Sequence, residues 1–203
     1  MIETIDYAVQ FCVLLVCCAV TGLRAARTKD RGLLILAFFY ACYALGDLYW
    51  ALCMGLEGAT PKVSYISELS WSAGVIFLCL LLRLLHSEPV GRGWIPWLAP
   101  VFTFAAAVYF MRWGEYVYNL VCAGLFGWMG YLVLRGLLGA REHGNNRMLY
   151  CSVGAFFVLE YAMWFISCYW LGDTLVNPYF WCDGLMTLVL ISLIPGYRKA
   201  VTA

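Results

Sequence analysis

Seven apolar stretches divide this chain, each about the length of ~20 residues that carries a helix across a bilayer. They run from Tyr7 to Leu23, Leu33 to Leu56, Ile66 to Leu85, Trp94 to Met111, Tyr116 to Leu138, Met148 to Leu171 and Tyr179 to Pro195. Backbone amides cannot be left unpaired in hydrocarbon, so segments of this kind must be helices. With 64% hydrophobic and 12% charged residues, the composition is far from that of a soluble domain, which is nearer a quarter charged. The expectation is an all-α integral membrane protein of seven transmembrane helices, one membrane domain over residues 1–203. Met1 to Asp6 is acidic and lacks the positive start of a signal peptide, so the first stretch reads as an uncleaved membrane helix.

Lysine and arginine collect on the cytoplasmic side of membrane proteins. Eleven of the thirteen here fall on one side: Arg24, Arg27, Lys29, Arg31, Arg83, Arg92, Arg135, Arg141, Arg147, Arg198 and Lys199. Only Lys62 and Arg112 fall on the other. The bias puts the N-terminus outside and the C-terminus in the cytoplasm. Acids divide the opposite way, with only Asp30, Glu88 and Glu142 on the cytoplasmic side. A negative outer mouth attracts cations. For Glu3, Asp6 and Glu57 a solvated rim is the simpler reading, and Glu115 reads as a helix cap that Arg112 can pair.

Four acids lie within or at the edge of apolar segments, each near a tryptophan. Asp47 is followed by Trp50, Glu68 by Trp71 and Glu160 by Trp164, while Asp183 follows Trp181. Residues three or four apart share a helix face, so the first three pairs point together. By the helical rise, Asp47 sits about 20 Å and Glu160 about 18 Å from the cytoplasmic ends of their helices. Ionisable residues at that depth face a bundle interior or wet cavity and mark function. If the second, third, sixth and seventh helices are neighbours, the acids line a funnel. Glu68 and Asp183 could instead serve as first-turn caps, and Asp47 and Glu160 as packing locks bonded to a Tyr or Trp.

A funnel of carboxylates and indoles suits an organic cation, such as an amine held by charge and cation–π contact. It also suits proton carriage, with Asp47 or Glu160 as the carrier, or acid–base chemistry on a lipid. The leading expectation is a small-molecule-binding, receptor- or sensor-like protein. Its ligand-binding residues would be Asp47, Trp50, Glu68, Trp71, Glu160, Trp164, Trp181 and Asp183. A proton-coupled secondary transporter is the alternative, and a membrane lipid hydrolase a second one.

Other chemistries lack their residues. Lys29, Lys62 and Lys199 all lie in loops, so no helix offers a Schiff-base amine. His86 and His143 are both at the cytoplasmic side, which leaves no imidazole for an intramembrane metal or haem. No metal, other cofactor or nucleic acid is expected; the expected partners are the bilayer, a small molecule and a membrane or cytoplasmic signalling protein. Of ten cysteines, Cys12, Cys17, Cys18, Cys42, Cys79, Cys122 and Cys151 read as small hydrophobes. Cys53, Cys168 and Cys182 lie nearer one face, and a Cys168–Cys182 bridge is left open.

Gly46-Asp47-Leu48-Tyr49-Trp50, then Thr60-Pro61, then Ser67-Glu68-Leu69-Ser70-Trp71 resembles uncharacterised bacterial seven-helix membrane proteins. The same stretch is similar to membrane sensor modules that precede bacterial signalling domains, although no output domain follows Ala203. The resemblance covers the second and third helices and implies a cell-membrane sensor. Gly46-Asp47 is also similar to the Gly-Asp pair of lysoplasmalogenase-type hydrolases, but their His-containing pattern is absent. The helices suggest a parallel three-plus-one-plus-three pseudo-repeat. Arg31, Ala37-Phe38-Phe39, Asp47 and Trp50 match Arg147, Ala155-Phe156-Phe157, Glu160 and Trp164 in order though not in spacing. Such an order resembles the SWEET sugar transporters, whose Pro-Gln signature is missing.

Overall fold

The computed structural model describes residues 2–58, 60–61, 64–85, 93–114, 116–143, 147–170 and 172–202, the side chains of 140–143 excepted. Lys62, His86, Glu88, Arg92, Glu115, Leu171 and Ala203, and the side chains of Arg141, Glu142 and His143, therefore lie outside the described residues, as does the Arg112–Glu115 pairing. Every regular element is helical: α1 Ile2–Thr28, α2 Arg31–Glu57, α3 Tyr65–Leu85, a 3₁₀ turn Ile95–Trp97, α4 Leu98–Phe110, α5 Tyr116–His143, α6 Arg147–Ser167 and α7 Pro178–Thr202.

Six of these helices are long and apolar enough to cross a membrane, which suggests a multi-pass membrane protein. Ile95–Phe110 is apolar but shorter. At 1.5 Å per residue it reaches about 24 Å, less than the ~30 Å of a hydrocarbon core. Pro96 and Pro100 explain the shortfall at its start, because neither supplies an amide to the ladder.

Helix ends follow local chemistry. The Asp30 carboxylate caps α2, accepting from the amides of Gly32 at 2.8 Å and Leu33 at 3.2 Å. Gly58 ends α2 in the left-handed region at φ 64°, where a side chain would be strained. The structure moves several boundaries, including the ends of α1 at Thr28 and α5 at His143, and three have a local cause. α1 begins five residues before Tyr7, because its first turn is held by the far end of the chain: the Glu3 amide donates to Asp173 at 2.9 Å. α6 stops at Ser167, where the chain tightens into turns through Trp170. α7 does not end at Pro195 but runs through it to Thr202. The amide that proline lacks is offset by packing beyond it: Gly196 sits against the backbone of Leu149, and the Tyr197 hydroxyl donates to Asp30 at 2.6 Å.

Helices α1, α2, α3, α5, α6 and α7 pack in that order as a ring that closes from α7 back onto α1, with α4 against the flank of α5. The two triplets α1–α3 and α5–α7 thus meet at two seams, α3–α5 and α7–α1. The ring is filled by side chains. Phe39 meets Phe156 edge-on at 6.0 Å, Tyr43 meets Phe156 at 5.5 Å, and the Tyr40 hydroxyl donates to the Leu190 carbonyl at 2.7 Å. Leu36, Leu78, Met129, Leu149, Met186 and Leu190 complete the fully buried centre.

Candidate functional site

The end of the bundle away from the α1–α2 turn carries a row of acidic side chains. Its middle is Asp47 on α2, 1% exposed. The indole of Trp71 on α3 donates to its Oδ1 at 3.0 Å. Gly46 makes that possible: a Cβ there would lie 2.8 Å from Trp71 Cδ1, so only glycine lets the indole lie across α2. The Ser67 hydroxyl donates to the Gly46 carbonyl at 3.1 Å, fixing α3 at the same level.

On one side of Asp47 lies Glu160, buried on α6 and accepting the hydroxyl proton of Tyr43. On the other side lies Asp183, buried on α7. The Gln10 amide of α1 donates to Asp183 Oδ1 at 2.8 Å and to the Thr187 hydroxyl at 3.3 Å. Asp6 on α1 lies against Asp183, within hydrogen-bond reach. Tyr7 and Tyr179 share a hydrogen bond of 3.0 Å across the same seam. Trp50 joins the row to the first turn of α1, donating to Glu3 at 3.1 Å and meeting Trp71 at 6.0 Å and Tyr7 at 5.6 Å.

Three oxygens in this row, Asp6 Oδ2, Asp47 Oδ2 and Asp183 Oδ2, are buried without an amide, indole or hydroxyl donor, and a proton shared between Asp6 and Asp183 would serve that pair. A buried acceptor without a donor costs about 1–3 kcal/mol, more if charged. The three orphans lie on adjacent helices, which makes the row a place that would gain from an added proton or donor.

Beside the row is a hollow of about 490 Å³ between α2, α3, α5 and α6. Trp50, Trp113, Trp164, Phe110 and Tyr118 supply aromatic walls, and among the described residues Glu68 is its single lining acid. Among the described residues, none that lines it is cationic. Glu68 is in the first turn of α3 and accepts from the Ser64 hydroxyl, so it serves the helix end and the hollow together. Beneath is a small enclosed space of about 20 Å³, room for about one water, bordered by Tyr43, Trp71, Cys122 and Glu160. Tyr118 and Trp164 are walls of both.

The eight residues singled out from sequence are therefore distributed. Trp50, Glu68 and Trp164 line the hollow, Trp71 and Glu160 the space beneath it, and Asp47 stands behind Trp71. Asp183 belongs to the α1 side of the row and is not in the first turn of α7. Trp181 faces away, 67% exposed, its indole bonded to the Leu175 carbonyl at 2.9 Å. It walls a different cleft, because a residue two places from Asp183 occupies another face of the helix.

Asp6 and Glu3 are not a solvated rim: both are partly buried and engaged within the row. Gln10, Tyr7 and Tyr179 also belong to it. The signal was present in the buried stripe Tyr7, Gln10, Leu14, Cys17, Thr21 and Ala25, whose three- and four-residue spacing extends back to Glu3 and Asp6. Trp113 and Tyr118 could not be placed before α4 was seen to pack on α5. All ten cysteines are free, so Cys168 and Cys182 are not bridged. Among the described residues no group of three or more His, Cys, Asp or Glu is placed to hold a metal.

Comparison with protein family models, curated proteins and solved structures gives no match for this chain.

Proposed function

We propose that this protein is a receptor- or sensor-like protein of the cell membrane that binds a small organic cation in the hollow between α2, α3, α5 and α6. The observation that carries the reading is the carboxylate of Glu68 set among three indoles. An ammonium gains Coulomb attraction from the acid and about 0.5–2 kcal/mol from each well-placed aromatic face. The volume lies in the range of small-molecule pockets. Asp47 and Glu160 act from behind the wall, through Trp71 and the space beneath. The cation bias assigns seven spans with α4 as the short one, the N-terminus and hollow outside, and the C-terminus in the cytoplasm. The three-plus-one-plus-three order then makes α4 the link between parallel halves.

The test is binding of a panel of small amines to purified protein, read by tryptophan fluorescence. Glu68→Gln is expected to weaken the best amine at least tenfold. Equal affinity in wild type and Glu68→Gln, or no binding by any amine, overturns the reading.

A second reading, proton-coupled transport, is favoured by the orphan oxygens of Asp6, Asp47 and Asp183. In vesicles, pH-driven uptake that is lost in Glu160→Gln supports transport. Binding without flux supports the receptor.

A further inference from the structure

The seam that closes the ring holds a second cavity, separate from the hollow at Glu68. It is an open cleft of about 410 Å³ between α1 and α7. Its walls are almost wholly apolar: Ile5, Val9, Leu175, Phe180 and Leu185, with the exposed indole of Trp181 along one side. Among the described residues one charged side chain lines it, Asp6. Behind Asp6 stands Asp183, within hydrogen-bond reach, and each of these two carboxyls has one buried oxygen that only a proton shared between them would serve. Among the described residues, no lysine or arginine lines the cleft.

These features select one class of ligand. Two carboxyls within reach of one another, with no other donor for the oxygens between them, suit a cation that carries several N–H donors, and a primary ammonium has three. A quaternary ammonium has none and could offer charge alone. The remaining surface offers no polar partner, so the rest of the ligand must be hydrocarbon, which gains about 0.8 kcal/mol per buried CH₂. We infer that the α1–α7 cleft is a binding site for a single-chain lipophilic primary amine, its ammonium on Asp6 and its chain along Val9, Phe180 and Leu185. Trp181, which the hollow does not use, becomes a wall of this site.

Gly184 supplies a clean test, since a Cβ built there meets no atom within 4 Å. A larger side chain at this position projects into the cleft and leaves both carboxyls in place. Dodecylamine, dodecyltrimethylammonium and dodecanol would be titrated by calorimetry into the full chain in phosphatidylcholine nanodiscs, with empty nanodiscs as the blank. Dodecylamine is expected to bind at least tenfold more tightly than either other probe. Asp6→Asn and Gly184→Leu should each weaken it at least tenfold, while Glu68→Gln leaves it unchanged. Equal binding of the three probes overturns the proposal, as does unchanged dodecylamine affinity in a folded Gly184→Leu protein. Because Glu68→Gln is silent here and decisive for the hollow, failure of either site is read separately.

Discussion

Alanine at Gly46 should disturb the row at its middle. The added methyl would lie 2.8 Å from Trp71 Cδ1 and 2.9 Å from Cε2, closer than real Cβ contacts allow. The far atoms belong to a bulky ring already held by its bond to Asp47 at 3.0 Å, so the indole must shift. Overpacking of this kind costs about 1–3 kcal/mol. If the shift also breaks the indole bond, Asp47 loses its described donor and about 1–3 kcal/mol more is lost. With both terms the expected total for Gly46→Ala is about 2–6 kcal/mol, measured by reversible unfolding in mixed micelles. The contact itself is isolated by a double-mutant cycle. In a Trp71→Leu background the methyl has room, and Gly46→Ala should then cost about 1 kcal/mol less or better. A cost that is the same in both backgrounds, or below about 0.5 kcal/mol in the wild type, refutes the argument that glycine is there to admit the indole.

Two further outcomes follow from the same geometry. Tyr43→Phe keeps the ring packed on Phe39 and Phe156 but takes away the donor to Glu160, and should destabilise by about 1–3 kcal/mol; combining it with Glu160→Leu, which removes the acceptor as well, should show a coupling energy in the cycle. Intact-mass measurement after denaturation and alkylation without reductant should show ten modified cysteines, and eight would restore the Cys168–Cys182 bridge that the structure does not contain.

The long helices were legible because hydrocarbon imposes one rule on every span: ~20 apolar residues and no unpaired backbone. The short α4 was not, since its apolar run reads as long as a span while Pro96 and Pro100 spend part of it on a 3₁₀ turn. Pro195 misled in the opposite sense, because the contacts of Gly196 and Tyr197 that carry α7 onward come from Leu149 and Asp30, distant in sequence. For the acids, depth was informative and spacing along one helix less so. Asp47 and Glu160 are buried, but their partners Trp71 and Tyr43 sit on other helices. Asp6 reads as solvated rim from the sequence because it lies so near the start of the chain; only the packing of α7 beside it shows otherwise.

The closing seam joins Gln10 to Asp183, two residues that leave the ribosome far apart in time. At roughly 5–20 residues per second, the interval between them is about 9–35 s. Throughout it the Gln10 amide is without its eventual acceptor, which is not yet made. A chaperone or insertase that shelters α1 until α7 arrives would therefore act on the step that decides whether this ring closes or α1 pairs with a neighbouring molecule.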